Sequence, residues 1–131
     1  PKMRRRGKIV LLNSILGRIP LMGSAAYCAS KAGLHHFGEA LEVELNRAGR
    51  QVTIHNLYPA YVETPMLGDV QSAGRTFLKP VQPSLVTAAI ARIIGAGSVR
   101  TNAGFLLSRD RFIAACYRIL PKTFKRALAS I

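Results

Sequence analysis

Ile9, Val10, Leu11 and Leu12 form an unbroken apolar run that Asn13 ends. A strand wetted on one face alternates apolar and polar side chains, whereas an uninterrupted run suits a parallel strand covered on both faces. Such a strand commits the chain to helices on either side of a sheet. From about Ser24 to Ala48 there is no proline, and Leu34, Phe37, Leu41 and Leu45 recur at spacings of 3, 4 and 4, the pattern of an amphipathic helix. Gly49 then offers a left-handed cap. Residues 51–58 put Val52, Ile54 and the ring of Tyr58 at alternate positions, and Pro59 stops the ladder, so a second strand is expected there. Strand, helix and strand in this order make a parallel crossover.

Further along, residues 65–83 carry scattered Gly and Pro and read as a long loop of the kind that covers a binding site. A second helix is expected from Ser84, its cap, to Ile94, with Gly95 as its stop. A short third strand falls on 104–107, and Asp110 is expected to cap a helix that Pro121 breaks. The fold class is therefore α/β with about three parallel strands and flanking helices.

Composition narrows what such a chain can be. With 49% apolar and 19% charged residues, the 131-residue chain is no disordered polyelectrolyte. No apolar run approaches the roughly 18 to 20 residues of a membrane span, and the apolar run after the basic N-terminus is too short for an export signal. Cys28 and Cys116 have neither metal-site nor disulfide-scaffold spacing; reduced, packed thiols and a cytoplasmic location are expected. His35 and His36 fall on a helix flank and His55 in a strand, without ligand spacing, so no metal site is expected. The net charge is +13, with Lys2, Arg4, Arg5, Arg6 and Lys8 at the N-terminus. That patch lacks interleaved aromatics, and no nucleic-acid partner is expected. The C-terminal segment 109–131 reads as a basic amphipathic helical segment, with Phe112, Ile113, Ile119, Leu120 and Phe124 among Arg111, Arg118, Lys122, Lys125 and Arg126. Packing on its own sheet or on a dimer mate is expected, with an anionic membrane surface as the alternative.

The chemistry concentrates in three residues. Tyr27 and Lys31 are four apart near the start of the first helix, so their side chains project from one face. Ser14 follows the first strand at its carboxyl end, where ligands of open α/β sheets bind. A phenol has a reference pKa of about 10 and exchanges protons at neutral pH only when its anion is stabilised. An ammonium one helical turn away supplies that stabilisation.

The segments GKIVLLNSILG, AAYCASKAGL and LYPAYVETPM, in that order, resemble the short-chain dehydrogenase/reductase family. The resemblance runs over almost the whole chain. It implies that Ser14 is the active-site serine, thirteen residues before the catalytic Tyr27, and that Tyr27 and Lys31 are the Tyr-x-x-x-Lys pair. It also implies that Pro59, Ala60, Val62 and Thr64 line the nicotinamide together with Tyr27 and Lys31; Ala60 stands where the family usually has Gly. The implied fold is the carboxyl-terminal part of a Rossmann-type doubly wound parallel sheet. The implied activity is that of an NAD(P)-dependent oxidoreductase interconverting an alcohol and a carbonyl compound, in which Tyr27 gives or takes the proton, Ser14 holds the carbonyl oxygen and the cofactor carries the hydride. Homo-oligomers are implied as well. The family's Gly-rich TGxxxGxG turn and upstream catalytic Asn are not in this sequence, and Gly95 and Gly97 do not replace the turn, because Arg100 occupies the third glycine position. Residues 1–131 are thus expected to be a partial oxidoreductase domain without its N-terminal dinucleotide-binding half, inactive in isolation. NAD and NADP are left as alternatives, since the family chooses between them after its first two strands. Tyr61, Met66, Leu67 and Phe77 suggest an apolar cover and a hydrophobic carbonyl substrate. The rival expectation is a catalytically incomplete chain that serves as an interaction module, pairing through the Tyr27 helix or an open sheet edge.

Overall fold

A computed structural model describes residues 6–65, 80–95, 104–105, 108–123 and 125. Strand β1 spans Arg6–Leu12 and leads into a single 3-10 turn, Ile15–Gly17. Helix α1 covers Ala25–Arg47 and strand β2 covers Gln51–Tyr58. Helix α2 (Pro83–Gly95), strand β3 (Gly104–Phe105) and helix α3 (Ser108–Ile119) follow. The sheet order is β1-β2-β3, and both pairings are parallel, as the α/β reading requires.

Register and parity decide which side each strand residue faces. Ile9 pairs with Ile54, Leu11 with Asn56 and Leu12 with Leu57. A Cβ at Gly38 of α1 would lie 2.7 Å from Leu11 Cδ1 and 3.0 Å from Asn56 Nδ2, so Leu11 and Asn56 face α1. Lys8, at opposite parity, faces away from α1. Its ammonium donates to the carbonyl of Ile93 at 2.6 Å, at the C-terminal end of α2, so α2 lies across the other face. The core is centred on β2, where Val52, Ile54, Leu57 and Tyr58 are buried, with Ile15 and Val86 closing it. Apart from Thr53, every β2 residue from Val52 onward is buried, because this strand is paired on both sides. Among the described residues no strand lies along the outer edge of β1.

The long helix agrees with its expected span and ends as expected, with Gly49 at φ +67°. Its inward face does not follow the expectation. His35 and Gly38 are the buried residues of α1, whereas Phe37 is 56% exposed. The apolar stripe of Leu34, Leu41 and Leu45 lies roughly 70° round the helix from the line through His35 and Gly38, and these leucines are half-buried. Close approach explains the difference: without a side chain at Gly38, the helix seats its narrowest line on the sheet.

Two corrections concern the C-terminal region. Helix α3 begins at Ser108, two residues before the cap expected at Asp110, and it ends at Ile119 ahead of Pro121. Phe112 and Ile119 do not pack on the chain's own sheet; they are 70% and 86% exposed, and Ala114 makes the buried contact. Most of the expected 65–83 loop, residues 66–79, and positions 106–107 of the expected third strand lie outside the described residues. No helix among the described residues is long and apolar enough to cross a membrane.

Candidate active site

The site grows from the carboxyl ends of β1 and β2. Their ladder continues beyond the strands, with Asn13 N–H donating to Leu57 O at 2.8 Å and Ile15 N–H to Pro59 O at 3.0 Å. Ser14, held between these rungs, is extended and buried. Its amide donates to Asn13 Oδ1 at 3.0 Å. The Asn13 amide nitrogen in turn donates to Asn56 Oδ1 at 3.4 Å. Ser14 Oγ accepts the Leu16 N–H at 3.2 Å and so caps the 3-10 turn. With that lone pair engaged, the hydroxyl still has its proton to donate.

Tyr27 is the third residue of α1 and is 41% exposed. One turn on, the Lys31 ammonium sits 5.7 Å from the centroid of the Tyr27 ring and donates to the Leu12 carbonyl at 3.1 Å. The last residue of β1 thus fixes the end of a flexible side chain. Gly17 lets the 3-10 turn come down on α1, since a Cβ there would stand 2.9 Å from the carbonyl carbon and oxygen of Lys31.

Beyond β2, Pro59 is buried, and the following residues are pinned by a short stretch ahead of α2. Val62 bridges Val81 in parallel. Val81 N–H donates to Tyr61 O at 2.8 Å and Glu63 N–H to Val81 O at 2.9 Å, while the Gln82 side-chain amide reaches the Glu63 carboxylate. Thr64 Oγ1 donates to Val62 O at 3.4 Å. Burial pushes the Tyr61 phenol above its ordinary range.

These pieces enclose a cleft of about 270 Å³. Ser14, Tyr27, Lys31, Pro59, Ala60, Val62 and Thr64, every site residue expected from the sequence, line it. Ile15, Leu16, Leu21 and Tyr61 make much of the remaining wall apolar. Of the apolar cover expected from the sequence, Met66, Leu67 and Phe77 lie outside the described residues. Sequence reasoning missed Asn13, whose side chain bonds the Ser14 N–H and Asn56, and the Leu12 carbonyl that holds Lys31; neither leaves a motif. It also missed a polar cluster beside the site, in which the Arg18 guanidinium contacts His35 Nε2 and the Tyr58 hydroxyl lies 2.6 Å from His35 Nδ1. His35, His36 and Glu39 bring ligand-type atoms within 4.8 Å of one another. Both ring nitrogens of His35 already have protein partners, one of them a cation, which disfavours a metal there.

Comparison with known proteins places this geometry. The family model described as short chain dehydrogenase matches residues 1–74. The acetoacetyl-CoA reductase of Allochromatium vinosum is 36% identical over 96 residues, covering 68% of this chain and 38% of that protein. Among solved structures, a variant actinorhodin polyketide ketoreductase with NADPH is 30% identical at a TM-score of 0.64, covering 76% of this chain and 45% of its own. A short chain dehydrogenase from Burkholderia cenocepacia in complex with NADP shares the fold at a TM-score of 0.74 and 21% identity, covering 96% of this chain and 48% of its own. The chain spans less than half the length of each of these proteins. With the matched segment carrying Ser14, Tyr27, Lys31 and the turn after β2, the chain belongs to the short chain dehydrogenase family.

Proposed function

We propose that this chain is the catalytic half of an NAD(P)-dependent oxidoreductase that interconverts an alcohol and a carbonyl compound, with Ser14, Tyr27 and Lys31 as its catalytic residues. The observation that carries the reading is the meeting of these three residues with Pro59, Ala60, Val62 and Thr64 around one cleft. The lining fits the nicotinamide end of a dinucleotide: Pro59, Ala60 and Val62 offer an apolar wall to a flat ring, and Lys31 and Thr64 offer donors for ribose and amide groups. When bound, that cofactor supplies the hydride. Ser14 donates its hydroxyl proton in a hydrogen bond to the substrate oxygen, which stabilises the charge growing there. Tyr27 delivers its phenolic proton to the same oxygen in reduction and removes it in oxidation. Lys31, tethered to Leu12, keeps a positive charge beside the phenol through either step.

The kinship with an acetoacetyl-CoA reductase and a polyketide ketoreductase, together with the apolar wall of Ile15, Leu16, Leu21 and Tyr61, favours a 3-oxoacyl substrate. A cytoplasmic location and homo-oligomers belong to the same proposal. The test is NADPH oxidation with an acetoacetyl thioester by the complete enzyme that carries this half. Tyr27→Phe is expected to lower kcat by roughly 100-fold or more with little change in cofactor affinity, while Lys31→Ala weakens both. Equal, small effects of the two substitutions would remove the catalytic assignment. A second reading, a non-catalytic interaction module, is favoured by the open outer edge of β1 among the described residues. It predicts a partner that binds Tyr27→Phe as tightly as the unaltered chain.

A further inference from the structure

Three segments carry the candidate site, and each has one residue in a cluster just beside it. Arg18 closes the 3-10 turn that Ser14 opens, with its own N–H donating to Ile15 O at 2.8 Å. His35 stands one turn beyond Lys31 on α1 and is 5% exposed. Tyr58 is the last residue of β2, 1% exposed, immediately before Pro59.

A guanidinium only donates hydrogen bonds, so its contact with His35 Nε2 requires a lone pair on that nitrogen. The proton of the neutral imidazole is then on Nδ1, and the Tyr58 oxygen, 2.6 Å away, accepts it. The Tyr58 and His35 rings meet edge to face with centroids 5.8 Å apart, and the Arg18 guanidinium lies 5.9 Å from the Tyr58 ring centroid. Every pair in the triangle is in contact.

We propose that Arg18, His35 and Tyr58 form a positioning cluster that sets the distance from Ser14 to the Tyr27–Lys31 pair by locking the 3-10 turn, α1 and the end of β2 to one another. None of the three lines the cleft, so they act through the residues that do. The proposal rests on the reading that Ser14, Tyr27 and Lys31 perform the chemistry. A three-residue turn has too few internal hydrogen bonds to hold itself, and an anchor at each end gives it a fixed height over α1.

The lock is also sensitive to protons. The groups facing His35 are Arg18 from the turn, Tyr58 from β2, and Glu39 and His36 from its own helix. Burial first, then Arg18, holds the imidazole below its reference value of 6.5. A proton added at Nε2 meets the guanidinium and breaks that contact, while Glu39 Oε1, 3.5 Å from Nε2, becomes the preferred partner. Acid therefore unlocks the turn from α1.

Amide hydrogen exchange on the chain tests this, with turnover of the complete enzyme that carries it measured in parallel. Arg18→Ala and Tyr58→Phe are expected to lower protection of the Gly17, Arg18 and Ile19 amides, which bond within the turn, by about tenfold, leaving the β1–β2 ladder unchanged, and Arg18→Lys is expected to restore part of it. In the unaltered chain the same amides lose protection as the pH is taken below 6.5 and His35 gains its proton; in Arg18→Ala that step is absent. Turnover in both variants falls at kcat by roughly tenfold or more, since a misplacement of about 1 Å costs on the order of 100-fold, with cofactor KM little changed. Uniform loss of protection across β2, or no loss at the turn, would overturn the proposal. A turn that behaves as expected in a chain whose Tyr27→Phe variant keeps full activity would instead overturn the catalytic reading and leave the lock standing.

Discussion

A Cβ at Gly17 would stand 2.9 Å from the backbone carbon and oxygen of Lys31, whereas the nearest obstacle to a Cβ at Gly38 is the far end of a leucine, Leu11 Cδ1 at 2.7 Å. Backbone cannot swing aside and a leucine tip can. Gly17→Ala is therefore expected to cost about 1 to 3 kcal/mol and to lower the melting temperature more than Gly38→Ala does, a comparison that calorimetry makes directly. The same substitution should depress kcat, because the turn it lifts begins at Ser14. Among the described residues three titrating groups, His35, Tyr58 and Tyr61, shape the pH dependence of stability, with Tyr61 acting in the same direction as Tyr58. His35, held below 6.5, takes up a proton on unfolding in mildly acid solution, so its contribution is complete above about pH 6.5 and is lost as the pH falls below that. Tyr58, pushed up by burial to about 12, loses a proton more readily when unfolded, so its contribution is complete below pH 10.0 and erodes from there toward 12. Denaturant midpoints are expected to be level from pH 7 to 9 and to fall on both sides. At this scale the sequence pointed to Ser14, Tyr27 and Lys31 through residue types at fixed spacing, and the structure brings the three to one cleft. The sequence hid Asn13 and His35 because their roles depend on partners distant along the chain: Asn56 for the first, Arg18 and Tyr58 for the second.

Helix α1 illustrates what periodicity can and cannot reveal about an element. Its span and its stop at Gly49 were legible, because a proline-free run and a glycine are local signals. Its buried line was not. Hydrophobic periodicity assumes that the most apolar face goes inward, and here a narrow line of His35 and Gly38 does so and leaves Phe37 in solvent. Phe37→Ser is accordingly expected to change stability by less than about 0.5 kcal/mol, read by chemical denaturation. A larger loss would mean that this face is buried in an assembly. At the other end of the fold, Lys8 donates to the carbonyls of Ile93 and Ile94 at 2.6 and 3.3 Å, joining β1 to the negative end of α2. Lys8→Met keeps the stem and removes the charge. It should cost about 0.3 to 1 kcal/mol, and the loss should shrink in high salt.

At the scale of the whole molecule, no strand among the described residues lies along the outer side of β1 in the three-stranded sheet, and the chain carries a net charge of +13. An open edge favours association and a like charge opposes it. Sedimentation is expected to show self-association that strengthens as salt screens the repulsion; a monomer at every salt concentration would show that the edge is covered within the chain. The order of elements was legible because strands and helices alternate, and parallel pairing follows from the crossover between them. One property of the cleft lies outside both sequence pattern and energetics. Among the described residues, those that line it all fall between Leu12 and Thr64, within a single strand-helix-strand crossover and the turn that follows it. On a ribosome, where chains emerge N-terminus first, these described walls of the cleft are outside once Thr64 clears the exit, before α2, β3 and α3 have emerged. Synthesis itself then sets the order of events: Ser14, Tyr27 and Lys31 can gather first, and the later elements close around a cleft already laid out.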